Sequence, residues 1–117
     1  MAGTFRRRPL SGSTHGRGIK LTGTATGSSV TIHTATADAT MVDVVTLYAS
    51  NFDTVTRTVS LEWGGTTSPD DILTFQVPPK STVCLIPDLV LRNTLIVKGW
   101  ADVANMVSIF GFINTET

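Results

Sequence analysis

Arg57-Thr58-Val59-Ser60-Leu61-Glu62-Trp63 alternates between polar and apolar residues from Thr58 to Trp63. A period of two is the mark of a strand with one face buried. The stretch predicts a strand with Val59, Leu61 and Trp63 inward and Thr58, Ser60 and Glu62 outward. Gly64 to Asp71 follows as a loop, with Ser68-Pro69-Asp70-Asp71 as turn chemistry. Ile72-Leu73-Thr74-Phe75-Gln76-Val77 then reads as a second strand, ended by Pro78-Pro79. Lys80 sits in the turn, and Ser81-Thr82-Val83-Cys84-Leu85-Ile86 returns as the hairpin partner, ended by Pro87.

The same period continues outward from this core. Residues 19–22, 30–34 and 41–51 lie upstream, and 94–101 and 106–113 lie downstream. In 41–51, Val45, Leu47 and Ala49 take one face, and Val44, Thr46, Tyr48 and Ser50 take the other. No segment carries a sustained helical period, so helix is limited to a single turn near Asp88–Arg92 or Asp102–Asn105. About eight short strands with turn signals between them predict an all-β fold. It is an antiparallel β-sandwich, jelly-roll or immunoglobulin-like, or a β-barrel. Val83 to Ile86 and Val107 to Ile113 are apolar on both faces. Either the core packs both sides, or the N-terminal segment or another subunit covers one.

The composition agrees. Of 117 residues, 41% are hydrophobic and only 15% charged, against ~25% charged in a typical soluble domain. A chain so poor in charge draws little solubility from it, which favours life in an assembly. Twenty threonines add to the β character. One cysteine, Cys84, excludes an intrachain disulfide. No apolar run approaches ~18 residues, so no transmembrane helix is expected. Arg6-Arg7-Arg8 is followed by Pro9-Leu10-Ser11-Gly12-Ser13 rather than an apolar segment, so no secretory signal is read there.

Nine bases and nine acids cancel, but unevenly. Residues 1–20 hold Arg6, Arg7, Arg8, Arg17, Lys20 and no acid, a charge of +5. Residues 21–117 hold four bases and nine acids, a charge of −5. Residues 1–17, broken by Gly3, Pro9, Gly12 and Gly16, read as an extended basic arm, and residues 18–117 as the sandwich domain. On this reading, removal of 1–17 leaves a folded domain. The arm is the candidate partner-binding site, through Phe5, Arg6, Arg7, Arg8, Arg17 and Lys20. Carboxylates of a neighbouring protein are the leading partner. Against nucleic acid stand the single aromatic residue of the arm and the acidic body.

Catalytic and metal chemistry find little support. His15 lies among glycines, and His33 falls on the outward side of a Thr-rich strand, so both read as surface residues. With Cys84 they give no ligand spacing. Cys84 reads as a small hydrophobe among Val83, Leu85 and Ile86. Gly16-Arg17-Gly18 lacks the third glycine of a dinucleotide fingerprint, and Gly18 to Gly23 lacks the lysine of a phosphate loop. No cofactor, no metal and no enzyme activity are expected. A carbohydrate-binding sandwich would need stacked exposed aromatics, and only Tyr48 and Trp100, on different strands, are candidates.

Leu47-Tyr48-Ala49-Ser50-Asn51, then Thr58-Val59-Ser60-Leu61-Glu62-Trp63-Gly64-Gly65, and the segment Asp71 to Pro87 with its paired prolines, resemble small structural proteins of tailed-phage virions. The resemblance covers most of residues 18–117 as a pattern and carries over no functional residue. It implies a capsid decoration, or cement, protein on the virion surface, made in the bacterial cytoplasm. The implied partner is the major capsid protein or another virion protein, and the implied assembly is a homo-oligomer, a trimer first. A head–tail connector or tail component is the neighbouring possibility.

Overall fold

The computed structural model describes residues 5–116. The protein is all-β, and its described residues form nine strands in two antiparallel sheets. They are β1 (Phe5–Pro9), β2 (Ile19–Lys20), β3 (Val30–Thr34), β4 (Val42–Asn51), β5 (Arg57–Trp63), β6 (Ile72–Val77), β7 (Ser81–Leu91), β8 (Ile96–Ala101) and β9 (Val107–Glu116). The first sheet runs β1-β9-β4-β7, with β2 also on β9; the second runs β3-β8-β5-β6. Among the described residues the one helical element is a 3₁₀ turn, Thr26–Ser28, not at Asp88–Arg92 or Asp102–Asn105. No described helix is long and apolar enough to cross a membrane.

The alternation that marked β4 and β5 builds the core. Val45, Leu47 and Ala49 from one sheet meet Val59 and Leu61 from the other, all fully buried. Ile109 and Ile113 of β9, with Val97 and Ala101 of β8, complete the layer. Each fully buried Val, Leu or Ile contributes about 1.5–3 kcal/mol relative to exposure. Trp63 is half-buried against this core, and its Nε1 donates to the Val90 carbonyl at 3.4 Å.

The basic segment is extended but does not stand apart from the body. Phe5–Pro9 pairs with the end of β9, Arg8 opposite Ile113. Leu10, Ile19 and Leu21 are buried in the core. The reason is chemical: Leu10 is an apolar anchor, and β9 offers an open edge for β1 and β2 to pair with. The described part of the expected arm, residues 5–17, is thus an edge of the sandwich.

Pro87 does not end its strand. β7 runs on to Leu91, and Asp88 to Leu91 belong to it rather than to a connection. Val45 pairs with Leu89 and Leu47 with Ile86, so Thr46 faces both Pro87 and Asp88. This is a β-bulge, with Asp88 at φ 56°. An edge strand accepts proline because its outer N–H row is unpaired. Cys84 is exposed on the outer face of this strand, not buried; the apolar run around it splits across the two faces.

Candidate functional site

The bases of residues 1–20 are spread along the β9 side of the five-stranded sheet, Arg6 opposite Thr115, Lys20 opposite Ser108 and Arg17 in the turn between β1 and β2. Their surroundings divide them. Arg8 is tied inward: its Nη2 donates to Thr115 Oγ1 at 2.6 Å and lies 3.6 Å from Asp43 Oδ1. Arg7 lies over the Phe112 ring, 4.4 Å from its centroid, and its Nε donates to Asn114 Oδ1 at 3.4 Å. Stacking on the ring partly covers an otherwise bare aromatic of β9. Arg6, Arg17 and Lys20 are exposed. The side chain of Phe5 lies outside what is described.

Arg6 and Arg8 also line a cleft of about 360 Å³ with Thr36, Met41 and Thr115. It lies at the end of the sandwich where β4 begins. The Arg6 guanidinium and the Thr36 hydroxyl offer donors there to a carboxylate or another oxyanion, while the Thr115 hydroxyl already donates to Asp43. A second cleft, about 240 Å³, is lined by Glu62, Lys98 and the loops at Gly64–Thr66 and Thr94–Ile96. Glu62, expected to face outward into solvent, is buried. The loop between β2 and β3 folds over it, and its carboxylate accepts from the Thr26 hydroxyl and from Ser29 Oγ at 2.8 Å. Its oxygens are engaged from within the chain.

His33 departs furthest from expectation. It is buried, 1% exposed, against an Asp43 that is wholly buried. The pairing of β3 with β8 shifts between Thr31 and His33, leaving Ile32 as an extra residue. That bulge rotates His33 onto the core face, opposite the buried Val97. Its Nε2 lies 2.7 Å from Asp43 Oδ2, and its Nδ1 accepts the Ser11 backbone N–H at 3.0 Å. A backbone N–H can only donate, so Nδ1 carries the lone pair and Nε2 carries the proton. The ring is neutral, and the positive group nearest Asp43 is Arg8.

Asp43 accepts from Thr115 Oγ1 at 2.8 Å and the Thr36 amide at 3.1 Å as well. The Ser11 hydroxyl accepts the Thr34 amide at 2.7 Å. A Ser, a His and an Asp are therefore together, but not as nucleophile, base and orienter. It is the Ser11 amide, not its hydroxyl, that faces the imidazole, and the free lone pair of the ring is occupied. The arrangement is a latch holding residues 8–11 to the body. One signal for it existed in the sequence: Asp43 shares the inward parity of Val45, Leu47 and Ala49.

The remaining candidates stay separate. His15 is exposed with φ 55°. Asp71 accepts the Thr67 amide at 3.1 Å, as turn chemistry requires. Tyr48 and Trp100 lie on different sheets. Among the described residues no three His, Cys, Asp or Glu side chains converge as a metal site would need. No protein-family model and no curated protein sequence matches the chain.

Proposed function

We propose that this chain is a non-enzymatic structural protein of a tailed-phage virion, a decoration or cement protein that binds the head shell. The observation that carries the reading is the basic edge. Arg6 on β1, Lys20 on β2 and Arg17 in the turn between them are exposed on this side of the sheet. An edge strand offers a row of unpaired backbone groups to a neighbouring chain, and flanking cations select an acidic one. The cleft between Arg6 and Arg8 would receive a carboxylate of the shell protein. A rigid sandwich suits the role, because binding costs little ordering of the chain.

The test is co-sedimentation of the purified chain with heads of the phage whose genome encodes it, stripped of their own copy. The full chain should bind at low salt. Arg6→Glu, Arg17→Glu and Lys20→Glu combined should weaken binding by at least about tenfold. No co-sedimentation of the folded full chain at low salt would overturn the reading.

A further inference from the structure

The register of the five-stranded sheet rules its outer face into rows. Tyr48 of β4 stands between Phe110 of β9 and Cys84 of β7. Ser50 stands between Ser108 and Thr82, and Val44 between Asn114 and Val90. Thr46 stands opposite Phe112, and on its other side its hydroxyl donates to Asp88 Oδ1 at 3.3 Å. Tyr48 is 37% exposed, Phe110 40% and Val90 53%, while Val45, Leu47, Ala49 and Ile109 beneath them are fully buried. The face thus exposes large apolar side chains between rows of hydroxyls, a mixed surface of the kind proteins use for contact with one another.

Its charges are placed unevenly. Arg7 lies over Phe112, on the β9 side of the Thr46 row. Asp88 is exposed on the β7 side of the same row. A cation and an anion thus flank β4 at the same height.

We propose that this face is the contact between two copies of the chain, related by a twofold axis parallel to β4. A half-turn about an axis lying in the contact along β4 keeps every row at its height and exchanges the β9 and β7 sides. Arg7 of each copy then meets Asp88 of the other. Phe110 meets Cys84, Ser108 meets Thr82, and Tyr48 packs on its counterpart across the axis. Charge meets opposite charge, apolar meets apolar and hydroxyl meets hydroxyl. An axis across the strands would instead lay β7 on β7 and Asp88 against Asp88. The charge pattern therefore selects a second copy and fixes its orientation. Two sheets stacked face to face stand about 10 Å apart, room for one interdigitated layer of side chains. Such a contact is closed and self-complementary. It does not depend on shell binding, and it differs from the threefold assembly that the resemblance implies.

Light scattering on the intact chain should give twice the 12.5 kDa chain mass. Asp88→Arg should weaken the pair by about tenfold, and Arg7→Asp with Asp88→Arg should restore it to within about threefold. In a Cys84→Ser background, Tyr48→Cys should form a disulfide-linked dimer on oxidation, and Thr74→Cys on the other sheet should not. A monomer or a trimer for the intact chain overturns the proposal. So does an unaffected Asp88→Arg, or a folded double variant that stays apart. If Asp88→Arg fails to fold, the Tyr48→Cys cross-link decides, and its absence overturns the contact. A dimer that does not bind heads overturns the proposed function alone; a monomer that binds them overturns the contact alone.

Discussion

Asp43 is the carboxylate on which the N-terminal segment depends. Removing His33 would leave a buried carboxylate short of a donor and the Ser11 N–H without an acceptor. His33→Ala is expected to cost about 3 kcal/mol, read from urea unfolding. Arg8→Ala, at a half-exposed side chain, should cost about 1 kcal/mol. Equal effects would mean that the His33–Asp43 contact is no stronger than a surface pair. Asp53 gives a second residue-level case. Arg57 donates to Asp53 Oδ2 from Nε at 2.9 Å and Nη2 at 2.6 Å. Those bonds first, and the Thr54 amide next, hold its carboxyl below the ordinary value. A lowered folded pKa makes the stabilisation fully present above the unfolded value of ~3.9 and lost as pH falls through the folded one. Thermal melts should therefore show Asp53→Asn below the parent chain at pH 6, with the gap closing as pH drops beneath about 3.9. A gap that holds constant down to pH 2 would show that the charge plays no part.

At the scale of elements, β1 and the turn after it decide whether the N-terminal segment is an appendage. Leu10 is buried, and Leu10→Ala should cost about 3 kcal/mol. Deleting residues 1–17 strips β1 from β9 and removes Leu10, Ser11 and Arg8 together. The remaining chain should lose its cooperative thermal transition, measured by calorimetry. A sharp transition within a few degrees of the parent would restore the view of residues 1–17 as a dispensable arm. The sequence made β5 and the β6–β7 hairpin legible through alternation and turn residues, and it placed Val45, Leu47, Ala49, Val59 and Leu61 on the core side correctly. It hid β1, where Gly and Pro punctuation outweighed a single leucine. It also hid the bulges at Ile32 and at Pro87–Asp88, because one extra residue inverts the phase on which alternation rests. The candidate site suffered most from this: His33 and Asp43 are neighbours only after the bulge has turned the ring inward, whereas the basic character of residues 1–20 was visible from charge alone.

For the whole molecule, a net charge of zero conceals two surfaces with different physics. The basic edge offers exposed cations to an acidic partner, an attraction that ions screen over about 8 Å at physiological strength. The outer face of the five-stranded sheet would bury its aromatic and valine side chains, with Arg7 and Asp88 serving mainly to set orientation. Apolar burial is strengthened rather than weakened by salts excluded from protein surface. Raising salt from about 0.05 to about 0.5 M should therefore separate the two contacts. Binding to heads should fall by more than about tenfold, while the self-association constant should change by less than about threefold. Sedimentation at the two ionic strengths reads both quantities on one sample. If self-association instead collapses in step with head binding, the pairing of copies rests on the edge charges, and the apolar face is not what joins them.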